Sequence, residues 1–441
     1  MSHSIQSTIP RRRALRVAAA TAACALMLGA GAARADEDAA APSPPAVTPG
    51  APAGITVSGL VEAGITAADH GADRGPNYGH LFTDRTNQLV LNQAVATIAK
   101  DAAPQNAQDG DDFGWGFKLQ GMYGTDARYT HFLGELDRTI GERTQLDIVE
   151  ANVAFHLPDV AGGSLDLKVG QYASPLGAET IVASSNPLYS HSYIFNFGLP
   201  FKHTGALATL HLSGGIDLYG GVDSGVNTSL GRDGDNNDAW SGIFGFGYAN
   251  ADSTVTLVAL THVGPEDAST KAPLGLAHAN DEARWINDAV LTVKASDALT
   301  LITELNYVRD DLVKAEAFAA AQYATWKYDD AVSLTLRTEV FRDVQGFYVA
   351  AFQGNQDYVL AEAGQPTRAP VLSAGQGATY LALTAGVTWK PAAALGWDAL
   401  PDGFALRPEV RYDRSLGNAR PFNNDQGQTT FGLDVLIPFG G

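Results

Sequence analysis

Four charged side chains recur at every second position near the end of the chain: Arg407, Glu409, Arg411 and Asp413. Phe404, Leu406, Pro408, Val410 and Tyr412 fall on the opposite face. Strict alternation is the period of a β-strand with one face in an apolar medium and the other in a polar one. A row of fixed charges kept in water can bind and sort small ions by their sign. Arg337 and Glu339 repeat the device, as do Lys118 and Gln120 within Phe113–Tyr123, where Phe113, Trp115, Phe117, Leu119 and Tyr123 take the apolar side. Glu62, Glu150, Asp166, Lys168, Asp217 and Glu304 hold equivalent polar positions in their own segments. Charges enclosed without water would be prohibitive, so these residues are expected to line a wet lumen. The competing reading is a closed interior in which Arg407 with Glu409, and Arg337 with Glu339, form cross-strand ladders.

Other chemistry finds little support. No nucleophile-elbow, phosphate-loop or dinucleotide motif appears, so no catalytic residue and no cofactor are expected. The ten histidines are scattered and none pair at i, i+4, so no metal site is expected either. Asp233–Asp238 (DGDNND) fails the calcium-loop pattern, because Asp238 replaces the Gly and Phe244 the closing Glu. One connection stands apart. Residues 173–203 read ASPLGAETIVASSNPLYSHSYIFNFGLPFKH, too aromatic for a solvated tip. Folded inward, it would narrow a pore and offer Glu179, His191, Lys202 and His203 as constriction charges.

These side chains need a scaffold of strands. Eleven residues at ~3.3 Å each, tilted ~40°, cover about 25 Å, the height of a lipid-facing band. Sixteen alternating segments lie between Ile55 and Phe439. In one of them, Val149, Ala151, Val153 and Phe155 are expected opposite Glu150 and Asn152. Every second connection is long (67–87, 124–145, 173–203, 225–238, 264–283, 310–317, 343–375, 414–427), and most of the others are short. The fold class expected is all-β: a transmembrane antiparallel up-and-down β-barrel of about 16 strands, with long external loops and mostly short periplasmic turns. After the first 35 residues no run approaches the ~20 apolar residues of a spanning helix.

Residues 1–35 read as a cleaved signal peptide: basic Arg11, Arg12, Arg13 and Arg16, an apolar core from Val17 to Gly31, and an Ala33–Arg34–Ala35 end. Residues 36–54 read as a Pro/Ala-rich periplasmic linker and 55–441 as the barrel. Cleavage would remove the single cysteine, Cys24, and leave 24 basic against 48 acidic groups, a net charge of −24. That balance argues against nucleic acid.

Several stretches resemble the OmpL-like β-barrel porins: SGLVEAGIT (58–66), TNQLVLNQAVATI (86–98), VGQYASPLGAETIVASSNPLYSHSYIFNFGLPFKHTG (169–205), FGYANADSTVTLVALTHVGPE (246–266), LRTEVFRDVQG (336–346) and RPEVRYDRS (407–415). The resemblance runs through nearly all of 55–439, and 169–205 is its most specific part. It implies an outer-membrane barrel that is a passive channel for small solutes. With no catalytic motif, no enzyme is expected, and the partners expected are outer-membrane lipid and lipopolysaccharide, the barrel-assembly machinery, small hydrophilic solutes and a second copy in a homo-oligomer. One departure is the C-terminal end, where Phe439 is followed by Gly440 and Gly441. The alternative function is a plugged surface barrel acting as an adhesin, or binding ions or a partner through its acidic external loops.

Overall fold

The computed structural model describes residues 54–69, 76–102, 112–231, 233–351, 364–365, 377–397 and 399–440. The expected signal peptide, with Cys24, and the expected linker up to residue 53 lie outside the described residues. Sixteen strands close into one antiparallel barrel. The first eight are β1 (Thr56–Ala68), β2 (Leu89–Lys100), β3 (Gly114–Gly124), β4 (Gln145–Val160), β5 (Gly163–Ala173), β6 (Lys202–Leu212), β7 (Ile216–Asp223) and β8 (Ser241–Ala249). The second eight are β9 (Val255–Gly264), β10 (Arg284–Lys294), β11 (Leu299–Asp310), β12 (Ala315–Lys327), β13 (Val332–Asp343), β14 (Ala378–Trp389), β15 (Ala405–Leu416) and β16 (Gly427–Gly440). β1 and β16 close the sheet, with Ser58 opposite Gly440 and Glu62 opposite Leu436. Closure leaves no free sheet edge, which is what a spanning sheet in hydrocarbon requires.

The alternating pattern is realised residue by residue. Phe113, Trp115, Leu119 and Tyr123 point outward and are exposed, Phe113 by 62%, while Gln120 and Met122 are buried on the inner side. Phe439 also faces outward, and its ring lies over Gly59, where a Cβ would collide with it at 2.1 Å.

Besides a register shift at the β4–β5 turn, between Leu157 and Val160, two bulges break the alternation within the wall. Glu62 pairs with Gln93 but Ala63 with Leu91, so Asn92 is an extra residue in β2. Gln120 pairs with Glu150 but Gly121 with Ile148, which makes Val149 the extra residue in β4. A bulge sends two consecutive side chains to the same side. Asn92 and Gln93 both face inward, as do Val149 and Glu150. Val149 was expected on the lipid side with Ala151; the bulge puts it inside, fully buried.

The loops sort by side of the barrel. On one side lie the described residues of L1 (69–88), L2 (125–144), L3 (174–201), L4 (224–240), L5 (265–283), L6 (311–314), L7 (344–377) and L8 (417–426). L6 is a four-residue turn rather than the longer connection expected over 310–317, because β12 begins at Ala315, and Ala315 and Ala317 already pack inward. Most connections on the other side are tight, as in 213–215, where Gly214 and Gly215 adopt φ of +80° and +74°. The exceptions are 101–113 and 390–404, the latter carrying a helical turn, Pro391–Leu395.

Candidate functional site: a loop held inside the barrel

L1, L2 and L3 fold into the barrel and share an aromatic core. Phe82 of L1 packs against Tyr129 of L2 at 5.2 Å between ring centroids, and against His191 and Phe195 of L3 at 4.7 and 5.6 Å. Tyr193 stacks on Tyr380 of β14 at 5.1 Å. An aromatic loop that contributes Tyr189, Tyr193, Phe195 and Phe197, all buried, gains far more by packing inward than by facing water.

Apolar burial alone leaves the backbone of such a loop without partners, and each buried N–H or C=O needs one. The charged wall residues supply them. Glu339 accepts the N–H groups of Tyr193 and Ile194 at 2.9 Å each. Glu409 accepts those of Tyr189 and Ser190 at 3.1 Å each. Asp288 accepts Gly177 N–H at 3.0 Å, and Glu304 accepts Ala178 N–H at 3.0 Å. The guanidiniums serve the carbonyls. Arg407 donates to Ala183 and Asn186 oxygens at 3.0 and 2.6 Å, Arg337 to Ser190 at 2.7 Å, and Arg411 to His191. Gln93, delivered inward by the β2 bulge, donates to Ile181 O at 2.6 Å and accepts Ala183 N–H at 3.1 Å. Its neighbour Asn92 accepts the Tyr189 hydroxyl at 3.0 Å.

The wall charges also neutralise one another. Arg407 lies between Asp434, accepting at 3.0 Å, and Glu62, accepting at 3.1 Å. Arg411 pairs with Asp413 at 2.8 Å. Arg337 reaches Glu179 of L3 at 2.6 Å. Glu179 also accepts Ser192 N–H and faces His191 Nδ1, each at 2.9 Å. Burial opposes its ionisation, but Arg337 and the His191 and Ser192 hydrogen bonds outweigh that, and the carboxyl is held down to about 2. His80 of L1 sits against Asp413 at 3.0 Å. Burial and the nearby Arg411 override that partner and push the imidazole down to about 4, so it is neutral. In L2, burial pushes Asp126 up to about 6 despite amide donors from Asn92 and Gln93 at 3.1 and 3.0 Å.

The wall residues anticipated from the sequence therefore divide in two. Glu62, Gln120, Glu150, Glu304, Arg337, Glu339, Arg407, Glu409, Arg411 and Asp413 face inward but are buried. Most of them bind L3 or its wall partners instead of water, which replaces the expected aqueous surroundings for this group. Lys118, Asp166, Lys168 and Asp217 face inward and remain half-exposed. Lys118 pairs with Glu150 at 2.6 Å, while Asp166 meets His156 and His211 at 2.6 and 3.2 Å. Among the constriction charges, Glu179 and His191 meet inside L3. Lys202 and His203 instead begin β6, where Lys202 is fixed by Asp147 at 2.7 Å. Asp233–Asp238 forms a turn in which Asp235 accepts the N–H groups of Asn237 and Asp238 at 2.8 Å each.

A closed 16-stranded barrel with an apolar outer wall, charged inner wall and inward-folded third loop defines an outer-membrane porin architecture. Solved porin structures share the fold. The outer membrane channel DcaP of Acinetobacter baumannii matches with a TM-score of 0.50 at 13% identity, covering 87% of this chain and 97% of that one. An anion-selective porin from Comamonas acidovorans matches with a TM-score of 0.50 at 10% identity, over 87% and 99% of the two chains. OmpF of Salmonella typhi, in complex with daunomycin, matches with a TM-score of 0.52 at 11% identity, over 87% and 97%. No curated protein matches the chain. The profile of the beta-barrel porin-2, OmpL-like family matches residues 54–439, and the chain belongs to that family. It is an outer-membrane porin; family and fold are those of a channel rather than of an adhesin or an enzyme.

Proposed function

We propose that this porin is a narrow passive-diffusion channel for small hydrophilic solutes and ions, its bore set by L3. One observation carries the reading. Beyond its root, where Ser174 meets His203 of β6, the hydrogen bonds of L3 to the wall run to β2 and to β10–β15, while the half-exposed Lys118, Asp166, Lys168 and Asp217 lie on β3, β5 and β7. L3 thus leans on one side of the barrel, and water and solute pass along the other. A small cavity of ≈ 110 Å³ between Pro175–Gly177 of L3 and Val258, Leu260, Asp288 and Val290 marks one margin of the loop. Carboxylates outnumber guanidiniums around L3, which favours cations. Purified protein in planar bilayers, under a salt gradient, tests both points: discrete small conductance steps with a cation-side reversal potential are expected, and no conductance would overturn the reading.

The remaining partners follow the same reading. Residues 1–35 act as an export signal, and the exposed outward aromatics contact lipid and lipopolysaccharide. Phe439 is the residue offered to the barrel-assembly machinery, and the working form is a homo-oligomer. Crosslinking in native outer membranes measures that last point.

A further inference from the structure

The strands bring together two imidazoles and a carboxylate that lie far apart in the chain. His203 is the second residue of β6, Asp223 ends β7 and His262 lies near the end of β9, all fully buried at the long-loop side. Each offers one ligand atom, and the three atoms lie within 4.8 Å of one another. His203 Nδ1 is 3.4 Å from one oxygen of Asp223, and His262 Nε2 is 3.1 Å from the other. Around a tetrahedral ion with bonds of ~2.0–2.1 Å, neighbouring ligand atoms stand about 3.3 Å apart.

A second feature points the same way. Apart from their mutual contact at 3.4 Å, His203 Nδ1 and Asp223 Oδ2 have no hydrogen-bond partner, whereas the other Asp223 oxygen also accepts Gly225 N–H at 2.8 Å. The hydroxyl of Tyr172, whose ring packs on His203 at 5.7 Å between centroids, and His262 Nδ1 are buried without a hydrogen-bond partner. Unpartnered polar atoms at such burial require an explanation, and an ion is one. The surroundings also fit. His203 Nε2 is oriented by Ser174 Oγ at 3.1 Å. His262 Nδ1 faces Glu266 at 3.6 Å, and Glu266 is itself fixed by the Ser241 hydroxyl at 2.6 Å and Val226 N–H at 2.7 Å. Carboxylates behind ligating histidines are the usual outer support of a zinc site. Ser241 lies opposite Asp223 on β8, between β7 and β9, and is small enough for His262 to reach across.

We propose that His203, Asp223 and His262 bind a divalent transition-metal ion of the zinc class, with Glu266 behind His262. The ion ties the roots of L3, L4 and L5 together, since Lys202 follows L3, Ser224 opens L4 and Pro265 opens L5. The site is closed, so the ion is taken up during folding. The test uses untagged full-length protein, refolded in detergent with Zn²⁺ or Co²⁺ and then freed of excess metal. One Zn²⁺ per chain and intense visible bands of tetrahedral Co²⁺, displaced by Zn²⁺, are expected. Asp223→Asn and His262→Gln should lose at least tenfold in retained metal while keeping heat-modifiable gel mobility. Wild-type protein that retains no metal, or variants that retain as much as wild type, would overturn the proposal. The wild-type Co²⁺ spectrum decides alone should a variant fail to fold, and none of these readouts depends on conductance.

Discussion

Replacing Glu339 by Ala isolates the grip of the wall on L3. Its carboxylate accepts two N–H groups at 2.9 Å, from Tyr193 and Ile194, at the start of the single turn Ile194–Gly198. Hydrogen bonds to a charged group contribute about 1.5–3 kcal/mol each, so the pair holds L3 by about 3–6 kcal/mol. The neighbouring guanidiniums keep other partners, Arg337 with Glu179 at 2.6 Å and Arg411 with Asp413 at 2.8 Å, so the loss falls on the loop. At ~1.4 kcal/mol per tenfold, the undocked fraction of L3 should rise by about 10²–10⁴. The assay is single-channel recording with heat-modifiable mobility as the folding control. The variant should show frequent steps to a larger conductance, and Glu339→Gln, which keeps one acceptor oxygen, an intermediate frequency. A folded Glu339→Ala barrel with recordings indistinguishable from wild type would refute the reasoning.

Three further outcomes are expected. Arg407→Ala leaves Glu62 and Asp434 facing each other in a buried site and should cost about 3–5 kcal/mol in urea unfolding from lipid vesicles; adding Asp434→Asn should recover part of the loss. Phe117→Arg, on the lipid face, should impair insertion by about 2–4 kcal/mol if mid-membrane, whereas Lys118→Glu should insert normally and move the reversal potential toward cations; equal tolerance of both would mean the faces are misassigned. Acid should loosen L1. His80 has a folded value near 4 against 6.5, so its contribution is intact above 6.5 and is lost as pH falls through that window toward 4. Asp126, raised from 3.8 to about 6, contributes in the opposite sense, gaining stability as pH falls through 6. The comparison is therefore made between wild type and His80→Gln: protease cleavage of L1 should rise more steeply between pH 6.5 and 4 in wild type.

The barrel was legible in the sequence because a period of two is local. Phe113–Tyr123 and Phe404–Asp413 declare their faces without any knowledge of their neighbours, and closure repeats that declaration sixteen times. Three things were not legible. The extra residues Asn92 and Val149 arise from pairing with the adjacent strand, so alternation within β2 or β4 alone misplaces one side chain. The partners of Glu339 and Glu409 are backbone N–H groups, which every residue but proline carries and no motif marks. His203, Asp223 and His262 sit on β6, β7 and β9, and only strand order makes them neighbours. A search for histidines at helical spacing had no means to find them. The aromatic content of residues 173–203, by contrast, did signal inward packing, because that loop is too apolar to stand in water.

The central claim is that L3, held by the wall charges, sets the bore. Single-channel conductance of wild type against a barrel in which residues 178–197 are replaced by a short Gly/Ser linker tests it most directly. The account predicts small steps in wild type, and several-fold larger steps with weaker ion preference in the shortened barrel. Equal conductance from two correctly folded barrels would contradict it.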